Sequence, residues 1–255
     1  MKPSPLDSKK AEQMRNAYDG TSEYYDSRYR HIQYLKYSIL LHQIIKIQKL
    51  PQIQLRGLVL DNGGGTGLFL EFLQKLSKFS IRNSEEDEKI NQILEFTCYL
   101  ISKKYRTTPI SLIFPPTVIC DVSFEMLQIA RKFQDSIMLY GLVSCDSAHL
   151  PFRPSQFSTI TAFTVFQNIE NINKAIEESH RVLVDQGCLG ISILKKSYNK
   201  FRFAEMLGKC FDDIYPVNFE KERGDFQKMI VQNGKYSQFY DLEKVEDFFL
   251  TAKKL

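Results

Sequence analysis

An apolar run, a glycine cluster and a helix-forming stretch follow one another without a gap between residues 55 and 78. That order constrains the fold more than any other feature of the chain. Leu55 to Leu60 reads as a buried strand. It ends in Asp61-Asn62-Gly63-Gly64-Gly65-Thr66-Gly67, and Leu68 to Lys78 then has helical periodicity. Glycines at such a turn let the backbone reverse sharply and approach a ligand closely. The free amides that open the next helix favour a negative group. A pyrophosphate and the carboxylate of a methionine moiety would both fit.

The alternation continues. Strands are expected at Thr117 to Cys120, Gly141 to Cys145, Thr159 to Phe163, Gly187 to Leu194 and, near the end of the chain, Asp247 to Ala252. Helices are expected at Ser123 to Phe133 and from about Asn171 to Leu183. Strands alternating with helices give a mostly parallel sheet covered on both faces. The expected fold class is α/β: a Rossmann-like three-layer sandwich with a mostly parallel seven-stranded sheet. At 255 residues the chain suits one domain, 1–255. Within it, 1–55 is a tyrosine-rich helical cap, with a helix over Gln33 to Lys49 that Pro51 stops.

One segment breaks the rhythm. In nucleotide-binding units the second-strand acid lies about 20 residues beyond the glycines, whereas here the candidate, Asp121, comes much later. Residues 80–116 are therefore an insertion. Ser84-Glu85-Glu86-Asp87 reads as a capping-box start, and Ile90, Ile93, Leu94, Leu100 and Ile101 recur at helical spacing. This amphipathic helix lies on the domain, or else its apolar face docks a partner or substrate.

Three strand-end segments carry the chemistry. The glycine loop reads D-x-G-x-G-x-G, and Leu68 stands where a dinucleotide loop needs Gly or Ala, which argues against a nicotinamide oxidoreductase. The loop resembles motif I of the class I S-adenosylmethionine-dependent methyltransferases. Ile119-Cys120-Asp121-Val122-Ser123-Phe124-Glu125-Met126-Leu127 is similar to the family's D-x-S-x-x-M-L stretch, and Cys145-Asp146-Ser147-Ala148-His149-Leu150-Pro151-Phe152 to its D-A-x-x-L-P-F segment. The resemblance implies S-adenosylmethionine as cofactor. It places Asp61, Gly63, Gly64, Gly65 and Gly67 at the methionine end. Asp121 with Val122 goes to the ribose, and Met126, Asp146 and Ser147 to the adenine. His149 reads as a loop residue rather than a base.

The acceptor is less legible. Methyl transfer from a sulfonium needs alignment in a dry pocket more than a general base. Substrate-side candidates are Gln167 and Asn168 after strand four, Tyr25 in the cap, and Lys195 and Lys196 after strand five. Gln167 and Asn168 serve equally well as caps of the following helix. The stretch Lys195 to Phe203, with Arg28, Arg30, His31 and Lys36, suits RNA phosphates and bases, or else is a solvated loop with a helix whose aromatics are core. The Asn/Asp-Pro-Pro-Tyr motif of enzymes that methylate planar nitrogens is absent.

The cap, Ala17 to Tyr29 with Gln33 and Lys36, resembles archaeal and eukaryotic family members that pair with a small zinc-binding activator. That partner is expected at an edge strand near 137–145, which Ile137-Met138-Leu139-Tyr140 makes apolar for a free edge. These features point first to methyl transfer to RNA (tRNA or rRNA) or a translation component. A small-molecule methyltransferase of the quinone- or cofactor-synthesis type is the alternative, and a non-catalytic cofactor-binding subunit a third. Net charge is +4, short of the excess of a dedicated nucleic-acid binder. Five scattered cysteines without a C-x-x-C pair argue against disulfides and zinc, so no metal is expected. No apolar run approaches the roughly 20 residues of a membrane helix. No apolar h-region follows the N-terminus, so the expected location is cytoplasmic.

Overall fold

A computed structural model of the chain describes residues 9–48, 57–79, 87–105, 114–217 and 245–254. The strands are β1 Val59–Asn62, β2 Thr117–Asp121, β3 Leu139–Ser144, β4 Phe157–Phe163, β5 Leu183–Leu194, β6 Asp213–Pro216 and β7 Asp247–Lys253. The helices are α1 Lys9–Asp19, α2 Ser22–Ile47, α3 Leu68–Lys78, α4 Glu88–Tyr105, α5 Phe124–Ala130, α6 Ile172–Val182 and α7 Lys200–Leu207. The seven strands form one sheet in the order β3-β2-β1-β4-β5-β7-β6. β1 to β5 pair in parallel, and β7 runs antiparallel to β5 and β6. The expected α/β sandwich is present.

The cap differs from its sequence reading. The helix expected over Gln33 to Lys49 is the second half of α2, which starts at Ser22 after a break at Gly20-Thr21. Every residue from Gln33 to Leu41 is buried. α2 lies between the sheet on one side and α3 and α4 on the other. A helix covered on all sides has no polar stripe, so periodicity marks it poorly. Gly190 of β5 lets α2 down onto the sheet: a Cβ there would lie 2.8 Å from Ile44 Cδ1 and 3.0 Å from Leu40 Cδ2.

The insertion forms α4. Its apolar face, with Ile93, Leu94, Phe96 and Ile101, is buried in one core with α2 and α3, so it is not a free docking face. Ser38 and Thr97 hydroxyls meet at 2.6 Å between α2 and α4. The helix is capped by Asp87, whose Oδ1 accepts the amides of Lys89 and Ile90 at 2.9 and 3.2 Å. Ser84, expected to open a capping box, lies outside the described residues.

Two strand readings also change. β5 begins at Leu183 rather than Gly187, because Leu183 pairs with Phe157 before a register shift; α6 correspondingly stops at Val182. β6 was not foreseen, since four residues are too short to show alternation. Residues 218–244 lie outside the described residues, as do 49–56, which include the first two residues of the strand expected from Leu55. Among the described residues no helix is long and apolar enough to cross a membrane.

Candidate functional site

The strand order reverses between β1 and β4, and open α/β sheets hold ligands at such a point, beyond the strand C-termini. A cleft of about 1260 Å³ lies there, walled by these strand ends and by α1 and α2.

The glycine loop forms one end. Gly63, Gly65 and Gly67 take φ of +72°, +53° and +80°, a region that side chains resist. The Gly63 and Gly64 amides donate to the Cys120 carbonyl at 2.8 and 3.0 Å, lacing the loop to β2. Packing explains most of these glycines. A Cβ on Gly63 would sit 2.4 Å from Val165 Cγ2, one on Gly64 2.4 Å from Asp61 Oδ2, and one on Gly67 2.9 Å from Phe133 Cε2. Gly65 is different: the nearest atoms to its Cβ would be Asp121 Oδ2 at 3.9 Å and Met126 Sδ at 4.0 Å. The space over Gly65 is open cleft.

Three acids line the same wall. Asp121, at the end of β2, accepts the Gly65 amide at 2.9 Å and the Ser123 amide at 2.8 Å. Burial lifts its pKa to about 6, against the pull of those amides. Asp61, at the end of β1, accepts from Thr161 Oγ1 at 3.0 Å through Oδ1. Its Oδ2 is buried without a partner, and burial lifts the carboxyl to about 7. A buried oxygen left this way calls for a donor. Asp146 Oδ1 accepts the Ala148 amide at 2.9 Å, and Ser147 Oγ donates to Asn62 Oδ1 at 2.7 Å. Glu178 and Arg181 of α6 clamp the rest of this loop: Glu178 Oε2 accepts the Leu150 amide at 2.9 Å, and Arg181 donates to the Leu150 and Phe152 carbonyls at 2.9 and 2.8 Å. His149 stands at the rim of the cleft, its side chain 73% exposed.

The cap closes over these loops. Ser123 Oγ donates to Asp19 and Thr66 Oγ1 to Asp26. Arg15 Nε donates to the Val122 carbonyl at 3.2 Å, and Lys10 Nζ to the carbonyls of Gln167 and Ile169 at 3.1 and 3.3 Å.

Asp61, Gly63, Gly64, Gly65, Asp121, Val122, Met126, Asp146 and Ser147 thus share one cleft. Gly67 does not reach it and serves to turn the chain into α3. Of the acceptor-side candidates, Tyr25 and Asn168 line the cleft. Gln167 turns back, its Nε2 donating to the Thr164 carbonyl at 2.6 Å. Lys195 and Lys196 are exposed and off the cleft wall, because β5 ends at Leu194 and the following turn faces outward. In the same segment Phe203 is core, packed on Phe166 and Tyr198. Arg30 pairs with Asp26 and Glu71 at 3.9 and 3.5 Å, His31 sits 2.8 Å from Asp87, and Lys36 is buried 2.9 Å from Asp247. Of the basic side chains expected for RNA only Lys36 is buried; Arg28 is exposed at the cleft, and Lys195, Lys196 and Arg202 are exposed away from it. Sequence reasoning missed Tyr18, Tyr37 and Thr164 on the wall. Thr164 holds φ +61°, a conformation that a β-branched residue keeps only where its surroundings impose it; nothing in the local sequence signals it.

Glycine loop, acids and cap make an α/β cleft at the point where the strand order reverses. Residues 109–191 match the family described as "Methyltransferase domain". The chain is 32% identical over 196 residues to mouse mitochondrial 2-methoxy-6-polyprenyl-1,4-benzoquinol methylase, covering 72% of this chain and 55% of that protein. It is 29% identical to the human protein of that name, covering 81% of this chain and 62% of that one. The chain thus spans little more than half the length of these curated relatives. Among solved structures, a SAM-dependent methyltransferase of Thermotoga maritima, described as a possible histamine N-methyltransferase, has TM-score 0.53 at 14% identity, over 95% of this chain and 100% of that one. The Haloferax volcanii methyltransferase in complex with the Trm112 methyltransferase activator has TM-score 0.54 at 12% identity, over 93% and 96%. The chain belongs to the class I S-adenosylmethionine-dependent methyltransferases, and S-adenosylmethionine is its cofactor.

Proposed function

We propose that the chain methylates a small aromatic acceptor of the hydroquinone type. The observation that carries this reading is the cleft. At about 1260 Å³ it exceeds the roughly 300–1,000 Å³ of a typical single-ligand pocket. Beyond the acids its wall is aromatic, with Tyr18, Tyr25, Tyr29, Tyr37 and Phe163. The curated relatives act, by name, on a polyprenyl benzoquinol.

The residues fit the cofactor. Asp61 Oδ2 would take its ammonium group, the open space over Gly65 its backbone, Asp121 its ribose hydroxyls, and Asp146 with Ser147 its adenine. Bound there, S-adenosylmethionine supplies an electrophilic methyl on a good leaving group. The chain's task is to align an acceptor carbon with that methyl and exclude water, while the displaced ring proton passes to the ring oxygen as the ring regains aromaticity. The α1–α2 cap does this by spanning the strand ends.

RNA is the weaker acceptor class. Lys195 and Lys196 lie off the cleft, and Lys36 is buried. A small activator subunit would add to the edge of β3, where Ile137 and Tyr140 are 95% and 70% exposed. Purified protein, labelled S-adenosylmethionine and a short-chain 2-methoxy-6-alkyl-1,4-benzoquinol kept reduced are the test. Label in the quinol supports the reading. Label in added RNA and none in the quinol overturns it. Transfer by the isolated, monodisperse chain argues against a required activator.

A further inference from the structure

The acids already described sit on the β1-β2-β3 side of the sheet. A second polar group lies on the other side. Lys36 of α2 reaches across to the ends of β4 and β7. Its Nζ is 2.9 Å from Asp247 Oδ2 and 3.2 Å from Thr164 Oγ1. Asp247 faces Leu194, the last residue of β5. The lysine side chain is 7% exposed and its aspartate 0%. Lys36 and its partner Thr164 line the cleft and Asp247 does not, so the ion pair stands at the cavity's edge with the carboxylate behind it. An ammonium has three donors. Two are taken, and the third has no partner among the described residues.

Gln33 sits one turn earlier on the same face of α2. It is 6% exposed and also lines the cleft. Its Nε2 donates to Tyr25 OH at 3.0 Å, and its Oε1 is buried without a partner. Turning the amide over only changes which atom is orphaned, since Tyr25 can occupy one end alone. Burial holds the Tyr25 hydroxyl protonated, well above its ordinary pKa, so it remains a neutral donor beside that amide.

A buried ammonium with a spare N–H and a buried amide with an unmet oxygen, about one helical turn apart, ask for one ligand bearing an anionic oxygen and a hydroxyl. We infer that Lys36 and Gln33 form the oxygen-binding subsite of the acceptor, Lys36 taking an ionised ring oxygen and Gln33 a hydroxyl on the same ring. The inference rests on the hydroquinone reading and gives it a chemical reason. An ionised ring oxygen pushes electron density onto the ring carbons, and a carbon nucleophile needs that density. Lys36 and Gln33 are positioning residues here.

The test uses 4-nitrocatechol, whose ionisation is visible by absorbance, titrated into full-length protein loaded with S-adenosylhomocysteine. Bound probe is expected to ionise about one pH unit below free probe. Lys36→Gln alone would strand Asp247, so the informative variant is Lys36→Gln/Asp247→Asn. It should lose that shift and bind ionised probe about tenfold more weakly, with S-adenosylhomocysteine affinity unchanged. Gln33→Met should weaken probe binding and keep the shift. Retention of the full shift in the double variant overturns the inference, as does a loaded wild-type protein that does not bind the probe. A protein that fails to bind S-adenosylhomocysteine at all sinks the underlying reading instead.

Discussion

Asp121 Oδ2 accepts the Gly65 amide at 2.9 Å. The carboxylate at the end of β2 therefore braces the glycine loop that follows β1, before any ligand arrives. Its other oxygen accepts the Ser123 amide. One side chain couples two loops and still has lone pairs facing the cleft. Asp121→Ala should free the loop and remove the proposed ribose acceptor together. We expect S-adenosylhomocysteine affinity to fall on the order of 10- to 100-fold, since bonds to a charged group are worth about 1.5–3 kcal/mol each. Calorimetric titration checks this, and an unchanged affinity would remove Asp121 from the binding site.

Cofactor binding should depend on pH through Asp61. Burial raises its carboxyl from 3.8 to about 7. A raised carboxyl favours the folded state most below about 3.8, and that advantage is lost as pH rises through about 7. A ligand ammonium has the opposite preference and binds the ionised form. S-adenosylhomocysteine affinity is thus expected to climb between about pH 5.5 and 7.5, with proton release on binding, and to level off above. Asp61→Asn should flatten that limb and raise the melting temperature of the ligand-free protein at pH 8. Identical pH profiles for the two proteins would refute the assignment.

Adjacent glycines should fail differently. At Gly64 an alanine Cβ would press on Asp61 Oδ2 at 2.4 Å and Ile119 Cγ2 at 2.8 Å, so Gly64→Ala should lower the melting temperature, by about 1–3 kcal/mol of stability. At Gly65 there is room, and φ of +53° costs about 1 kcal/mol. Gly65→Ala should stay folded while its methyl occupies cofactor space. Thermal melts with and without S-adenosylhomocysteine separate the two: Gly65→Ala should lose most of the ligand-induced stabilisation. If instead it is stabilised like wild type, the space over Gly65 is not where the cofactor lies.

The cap should govern exchange of the cofactor. Asp26 receives Thr66 Oγ1 and pairs with Lys132 at 3.0 Å, tying α2 to the glycine loop and α5 region. Asp26→Asn weakens a partly exposed ion pair, worth at most about 1 kcal/mol, so stability should change little. Dissociation of S-adenosylhomocysteine should quicken several-fold, measured by stopped-flow displacement. A dissociation rate equal to wild type would mean that the cap is not the gate.

The three loops were legible because each is written in consecutive residues. A strand end followed by Asp61 to Gly67, by Asp121 to Met126, or by Asp146 and Ser147 needs only local backbone geometry to present its polar groups, and parallel strands put the three side by side. The same local logic overreached at Lys195 and Lys196, where sequence shows charge but not which way a turn faces. It could not rank the acceptor classes, because Arg30, His31 and Lys36 read as solvated basic residues until their partners are known.

Sequence by itself therefore determined the parallel part of the sheet, the three strand-end loops and the class of enzyme, since these depend on short-range periodicity and glycine spacing. Tertiary structure alone decided how the β4-β7 side of the cleft is built. Lys36 meets Asp247 across 211 positions, which follows from their numbers and their 2.9 Å contact. Gly190 admits α2 to the sheet, and Thr164 holds a left-handed backbone between β4 and its partners. Burial takes these residues out of water and fixes their partners, and burial is a property of packing between distant segments that no local pattern records.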